Sequence, residues 1–436
     1  MLDATGRLIR RLTTSNDPAC DAGASRTAAG LFDGADLSVE GVRRLMAVDS
    51  LSPTWWDATT GEARFPDANL RGCNLRSARL GALACDRIDF SSADLANADL
   101  AGAQLGGGTF DSALLEDANL GGAHLRFASF RKTVLEGARL RAADLRGAVL
   151  SGAQMDHADF REAELEEADL RDVRGREVDF GGARLVLADL RGADLQGADF
   201  RGAVVRGAKF DAADFRHAHL EHVNLTSCSI EGIRLSDALL DRTKLHRSQL
   251  GPAIGEELSR DYELARRAYL NLEVNFLDIG DPEAASWAYR RRRRVQKLDA
   301  RRQVRVAVQS RAWTAARAPL SRYASDKLVE VVCDYGESVP RVLLTLLLVF
   351  AGFMLWYGVT GAVAVDVPGS ASARQVTSDP VALLQYTLTA MLAPGSAPER
   401  LHASGRIQEV VALLQSFVSI FLIGLLGFVA GNRIRR

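Results

Sequence analysis

A large apolar residue recurs at every fifth position from Phe65 to Leu250. Of these 38 positions, 33 hold Leu or Phe, and only Gly175 lacks an apolar side chain. The position two residues earlier is Ala in 26 of the 38 cases. A fixed period without insertions over such a length indicates a repeat architecture, in which each unit packs against its neighbours.

A period of five fits neither an α-helix nor a flat strand. On a helix, five steps of about 100° place successive large residues about 140° apart, so they spread around the axis. On a strand, an odd repeat sends every second large residue to the wrong face. Both conflicts disappear if the chain turns a corner once per pentad, with the large residue and the Ala before it pointing inward. The pattern therefore predicts a β-solenoid with coils about 4.8 Å apart.

The pentads resemble the pentapeptide-repeat family, whose motif is A(D/N)LXX, and residues 188–195 show it twice as Ala-Asp-Leu-Arg-Gly-Ala-Asp-Leu. The resemblance implies a right-handed quadrilateral β-helix with four pentads to a coil. The repeats would then form a rod of roughly nine and a half coils, about 45 Å long. The preference for Ala two residues before each large residue follows from volume, because four large side chains and four methyl groups already fill one square layer.

The pattern divides the chain into four segments. We predict a partly disordered N-terminal region over 1–62, the β-helix over 63–252, a basic helical linker over 253–335, and a two-span membrane domain over 336–436. In the first segment, a short helix over 38–51 followed by Trp55 and Trp56 is expected to cap the first coil, as terminal repeats require.

The linker is predicted to be a helical hairpin. Residues 256–278 carry apolar side chains on one helical face. Gly280 and Pro282 break that helix, and Asp281 is placed to cap a second helix that continues from Glu283.

The second linker helix carries five consecutive arginines, Arg290, Arg291, Arg292, Arg293 and Arg294. Three interpretations are open: a run facing the anionic inner leaflet of a membrane, a solvated helix face, or a nucleic-acid patch. No aromatic platform or recognition motif accompanies the run, so no nucleic-acid partner is expected.

Two segments are long and apolar enough to cross a bilayer. Val342–Val365 has 24 residues without a charge, and Val410–Gly431 has 22 residues with Gln415 as its one strongly polar side chain. A core of about 30 Å needs roughly 20 helical residues. Arginines precede the first span and follow the second, so both termini and the β-helix are expected in the cytoplasm of a bacterium, below its inner membrane. Tyr357 and its neighbour Trp356 are expected at the outer interface.

Between the spans, the apolar residues 380–392 are too few to cross, so 380–395 is predicted to be re-entrant. This layout, a short helix between two spans, is similar to that of two-span potassium-channel subunits. The sequence Tyr386-Thr387-Leu388-Thr389 resembles the end of their pore helix. The resemblance implies a homo-oligomer, a tetramer by analogy. Their filter motif, Thr-Val-Gly-Tyr-Gly, is replaced after Thr389 by a sequence without paired glycines, so the filter is degenerate.

The candidate pore residues follow from this layout. The end of the re-entrant segment contributes Thr387, Leu388, Thr389, Ala390, Met391 and Leu392. The second span contributes the polar residues Gln415, Ser416 and Ser419, with Gly424, Gly427 and Gly431 as hinges or as sites of close helix contact.

Other sites and activities are not expected. The chain has no P-loop, nucleophile-elbow or zinc-protease motif, so we predict no enzyme, cofactor or metal. His217, His219 and His222 fall on outward pentad positions, where solvated side chains are expected. Cys73, Cys85 and Cys228 fall on inward positions, where small core residues are expected.

Three functions therefore remain open. The first is a channel-like membrane module with a cytoplasmic β-helix that binds a protein partner or regulates the module. The second is a non-conducting scaffold anchored in the lipid bilayer. The third is mimicry of DNA to inhibit a topoisomerase, which residues 61–250 disfavour because 25 basic side chains offset 30 acidic ones.

Overall fold

The computed structural model describes residues 56–57, 62–64, 70–81, 83–310, 313–336, 338–366, 374–392 and 401–435. The chain divides into two compact units, Met1–Val295 and Gln296–Arg436. The predicted helix over 38–51 and Trp55 lie outside the described residues. Of the predicted N-terminal cap, only the backbone of Trp56 is described.

The solenoid begins with three short strands. β1 (Trp56–Asp57) pairs antiparallel with β2 (Glu62–Arg64), and β2 pairs in parallel with β3 (Leu83–Ala84). The register Ala63 to Leu83 is an offset of one coil, so β2 already belongs to the repeat.

Parallel bridges join each coil to the next along the solenoid. They connect residues one coil apart, from Asn74 with Asp94 to Asn224 with Lys244. Because every bridge spans four pentads, each coil has four sides, as the sequence predicted.

A tight turn forms each corner. At the corner after Phe110, the amide of Ala113 donates to the carbonyl of Phe110 at 2.9 Å, and the second turn residue, Ser112, has φ of 58°. Glycine adopts this left-handed conformation without strain, and Gly102 occupies the equivalent corner position before it. The corners explain how a period of five keeps all large side chains on the inside.

The large residues of the pentads form one continuous core. Leu145 and its equivalents in most coils have no solvent exposure. Where Phe recurs at the same side of successive coils, the rings stack: the centroids of Phe90 and Phe110 lie 5.2 Å apart, and those of Phe110 and Phe130 lie 4.6 Å apart. Stacking of this kind stabilises the folded solenoid beyond the contribution of apolar burial alone.

Departures from the repeat are accommodated inside the core. Met155 lies one coil before Gly175, and its Cε lies 2.9 Å from where a Cβ of Gly175 would be, so the long side chain occupies the space left by the missing one. At the position usually held by Ala, the hydroxyl of Thr133 donates to the carbonyl of Phe110 at 2.7 Å. Cys73, Cys85 and Cys228 are buried in this core as small side chains, as predicted.

Polar side chains close the last coil of the solenoid. The chain leaves the repeat through a 3-10 turn, Arg247–Leu250, and a short helix, α1 (Gly255–Leu258). The buried carboxylate of Glu256 accepts hydrogen bonds from the amides of Leu235 and Ser236, both at 2.7 Å. These are backbone groups that a further coil would have paired, so Glu256 takes the place of that coil.

A second helix completes this cap. α2 (Tyr262–Asp278) lies against the last coil. The side-chain amide of Asn271 donates to the carbonyl of Ala238 at 3.2 Å, and that of Asn275 donates to the carbonyl of Thr243 at 3.0 Å. The helix predicted over 256–278 is therefore two helices, because Arg260 has φ of 62° and interrupts it. Leu258, assigned to the buried face, is exposed as a result.

Helix α3 (Pro282–Gln309) turns back along α2. The Asp281 carboxylate accepts from the amide of Ala284 at 2.9 Å, which confirms the predicted cap. The ring centroids of Tyr269 on α2 and Trp287 on α3 lie 5.7 Å apart, so the two helices form the expected hairpin.

The second unit consists of helices and one small sheet. Its elements are α4 (Trp313–Cys333), α5 (Val339–Thr360), β4 (Val363–Asp366), β5 (Arg374–Val376), α6 (Pro380–Leu392), β6 (Leu401–Ala403) and α7 (Arg406–Arg435). By length and composition, α5 and residues 406–431 of α7 could each cross a membrane.

The first span is shorter than predicted. α5 ends at Thr360 because Gly361 adopts φ of 60° and its amide donates to Tyr357, a common way to end a helix. The predicted span continued to Val365. In the structure, its last three residues belong instead to β4, which pairs antiparallel with β5 and β6.

Candidate functional site

Helix α6 packs between α5 and α7 through a buried polar network. The Gln415 side chain on α7 donates to the backbone carbonyl of Thr387 at 2.9 Å and accepts from the hydroxyl of Tyr357 at 2.7 Å. All three residues have no solvent exposure. One amide side chain thus joins the two long helices to the short one, where an unpaired polar group would be costly.

A second contact holds the carboxyl end of α6. The Ser416 hydroxyl lies 2.7 Å from the carbonyl of Ala390 and 2.9 Å from that of Ala412, so the one hydroxyl group bridges α6 and α7. Ser416 follows Val410, the first residue of the uncharged stretch of α7, by six positions, which is about 9 Å along a helix. That is roughly a third of a 30 Å hydrocarbon core.

The predicted filter residues form the last turns of α6. Thr387 is buried, and Thr389 is half-buried with its hydroxyl bonded to the carbonyl of Gln385 at 2.7 Å. Leu388 and Leu392 are exposed. These residues are helical, and only the last four carbonyls of a helix lack an intrahelical partner. Residues 393–400 lie outside the described part of the chain.

The three polar residues predicted to line a path along the second span are buried within the single chain. Gln415 and Ser416 bind α6, and the hydroxyl of Ser419 is also buried. The sequence indicated which side chains of this apolar helix are polar, but it did not indicate that Gln415 and Ser416 bind α6.

Tyr357 is buried among the helices of the second unit. Its hydroxyl bonds Gln415, and its ring meets that of Tyr386 edge to face at 5.3 Å. Its position at the outer membrane interface stays a prediction, but the sequence did not indicate that its side chain packs against α6.

The three glycines of the second span lie on the exposed part of α7. A Cβ built on Gly424, Gly427 or Gly431 would meet no atom within 4 Å. These glycines therefore mediate no close helix contact within one chain. Whether they act as hinges or as contacts between subunits stays a prediction.

The five arginines of α3 differ in their surroundings. Arg291 pairs with Glu257 at 3.0 Å, and Arg292 pairs with Glu273 at 3.0 Å. Arg290 and Arg294 are exposed. Two of the five charges are therefore neutralised inside the helical cap, which weakens the run as a membrane-surface element.

The outer faces of the solenoid carry paired charges. Where Arg follows Asp two positions later, as in Asp-Phe-Arg and Asp-Leu-Arg, the guanidinium group reaches back to the carboxylate. Arg161 pairs in this way with Asp159 at 2.6 Å, and Arg171 pairs with Asp169 at 2.7 Å. The hydrogen bond from Arg161 keeps the pKa of Asp159 below its usual value. Carboxylates neutralised in this way present little of the continuous negative charge that mimicry of DNA requires.

The histidines do not assemble a metal site. His219 lies 3.2 Å from the Glu221 carboxylate, and no group of three or more metal-ligating side chains occurs among the described residues.

Comparisons with known proteins support the repeat. The model of the family "Pentapeptide repeats" matches segments that together cover residues 109–251. A comparison with curated proteins found no match.

Three solved structures are similar to the chain. HetL, a pentapeptide repeat protein involved in heterocyst differentiation regulation from the cyanobacterium Nostoc sp. strain PCC 7120, is 27% identical, with 48% of this chain and 94% of HetL covered and a TM-score of 0.30. QnrB1, a plasmid-mediated fluoroquinolone resistance protein, is 16% identical over 44% of this chain and 97% of that one, with a TM-score of 0.29.

A further pentapeptide repeat protein from Nostoc is 33% identical over 21% of this chain and 71% of that protein, with a TM-score of 0.16. The repeat pattern, the four-sided coils and the family match agree. The chain belongs to the pentapeptide-repeat proteins through its solenoid.

Proposed function

We propose that this protein is a membrane-anchored pentapeptide-repeat protein whose C-terminal unit is an oligomeric, channel-like module. The solenoid is its cytoplasmic platform for a protein partner or a regulatory signal. The observation that carries the proposal is the docking of α6 between α5 and α7 by Gln415 and Ser416.

The length of α6 supports a re-entrant position. Its 13 residues extend about 20 Å, too short for a hydrocarbon core of about 30 Å. The last carbonyls of α6 would then lie at membrane depth, where backbone groups without an intrahelical partner need protein or water around them.

The direction of α6 favours cations. The carboxyl-terminal end of a helix, where the last carbonyls have no intrahelical partner, carries a partial negative charge. Ser416 binds that end about a third of the way along the uncharged stretch Val410–Gly431. Several copies of α6 directed at one axis would lower the energy of a cation there.

An oligomer is required for such a path. Two long helices and one short helix cannot enclose a pore by themselves. The outward side of α7 is apolar, with Phe417, Phe421 and Phe428 exposed, and it is available to lipid or to a second subunit. A tetramer is the arrangement that the resemblance to two-span channels implies.

The alternative is a non-conducting scaffold. It is favoured by the fact that Gln415 and Ser416 already have their partners within one chain, which leaves these side chains without a required role toward an ion. In that case the two spans anchor the solenoid, and the bound partner defines the function.

Ion flux distinguishes the two. The full-length protein is reconstituted into liposomes loaded with potassium salt, and efflux is compared with that from liposomes holding the same protein denatured beforehand. A channel-like module gives potassium efflux that increases with the protein-to-lipid ratio. No efflux from correctly folded, inserted protein favours the scaffold.

A further inference from the structure

Helix α4, which precedes α5, has an apolar stripe that none of the described residues covers. Leu320, Ala324, Leu328 and Val331 are all exposed. At positions i, i+4, i+8 and i+11, they fall within an arc of about 80° on one side of the helix. Leu328 has 64% of its surface exposed, which is unusual for a leucine on a packed helix.

The opposite side of α4 faces the protein. Pro319, Asp326 and Cys333 are buried there. Glu330 lies on the same side and pairs with Lys297 of α3 and, at 3.1 Å, with Lys327. Both acidic side chains of α4 are therefore turned toward the protein.

The charges on the exposed side are basic. Arg317 lies within the arc of the apolar stripe and Lys327 lies beside it, and both are exposed. An exposed surface that combines leucines with basic side chains and lacks acidic ones complements an anionic lipid surface.

The carboxyl end of α4 is fastened to the beginning of α5. The Arg341 guanidinium donates to the carbonyl of Glu330 at 3.0 Å and pairs with Asp334 at 3.2 Å. The link between the two helices is the short turn Asp334–Gly336, in which Tyr335 has φ of 60°. The stripe thus ends within one short turn of a helix that is apolar enough to span a membrane.

We propose that the Leu320–Val331 stripe lies on the cytoplasmic surface of the bilayer, with its leucines among the acyl chains and Arg317 and Lys327 at anionic headgroups. A second copy of the chain is the competing occupant. It fits less well, because a symmetric contact would place two copies of the same surface against each other, and that surface has no acidic side chain to pair with Arg317 and Lys327. The proposal rests on the proposed function only in requiring that α5 be inserted.

Spin labels test the placement in full-length protein reconstituted in vesicles of phosphatidylcholine with phosphatidylglycerol. Single cysteines replace Leu328 on the stripe, Ser325 on the polar side of the same helix, and Leu347 on the exposed side of α5. The background carries Cys20→Ser, because the four described cysteines are buried. The collision rate of each label is measured with oxygen, which concentrates in lipid, and with a water-soluble nickel chelate.

We expect the labels at Leu328→Cys and Leu347→Cys to favour oxygen and the label at Ser325→Cys to favour the nickel chelate. The Leu328→Cys preference should decrease in vesicles of phosphatidylcholine alone. A label at Leu328→Cys that favours nickel overturns the proposal if Leu347→Cys reports lipid. A label shielded from both reagents identifies a second copy as the occupant. If Leu347→Cys also favours nickel, insertion itself has failed, and the proposed function fails with it.

Discussion

Leu145→Asp is expected to unfold the solenoid. Leu145 has no solvent exposure, and its neighbours above and below are the large residues of adjacent coils. A carboxylate there would be buried without a partner, a change that costs more than about 4 kcal/mol. Because each coil is stabilised only by its neighbours, the damage should extend along the repeat. Circular dichroism of the full chain in detergent during heating measures the loss of the β signal.

The adjacent residue is the matched control. Arg146 points outward and pairs with Asp144 at 2.6 Å. Exposed ion pairs contribute at most about 1 kcal/mol, so Arg146→Ala should shift the transition little. Two variants that melt alike and close to the unmodified protein would contradict the inward register.

Thr389→Trp is expected to abolish flux while leaving assembly intact. Thr389 is half-buried near the carboxyl end of α6, next to the carbonyls that Ser416 holds. An indole group at this end should block any path that the α6 helices surround. The same liposome efflux assay measures the effect, with size-exclusion chromatography in detergent to check the oligomer.

Val381→Trp provides the comparison for that variant. Val381 is exposed near the amino end of α6, away from the carbonyls at the other end. We expect it to keep most of the efflux. Equal efflux from both variants would show that the path, if there is one, does not pass the carboxyl end of α6.

The solenoid could be predicted from the sequence because its packing is local. One period of five defines the corner, the inward positions and the coil, so Leu145 could be placed without any knowledge of distant residues. Compensation between coils is less apparent: Met155 fills the space beside Gly175, twenty positions away, and only the one-coil offset reveals it.

The second unit was predicted less well because its contacts are distant in sequence. Composition identified the two long apolar helices and the short one. It did not show that Tyr357 is buried against Gln415, since this depends on where α6 packs. Gly361 ended the first span earlier than hydrophobicity alone indicated. Exposure of the stripe on α4 also depends on which side of that helix packs against its neighbours.

The most direct test of the account is the sidedness of three positions in living cells. Single cysteines are placed on the solenoid as Ser92→Cys, between the spans as Gln375→Cys, and after Arg436, all in the Cys20→Ser background. A membrane-impermeant thiol reagent is applied before and after the cells are opened. We expect the cysteine at position 375 to react in intact cells and the other two only in opened cells. A terminal cysteine that reacts in intact cells would mean that α6 crosses the membrane. A cysteine at position 375 that reacts only in opened cells would mean that neither long helix crosses. Either result would contradict the account.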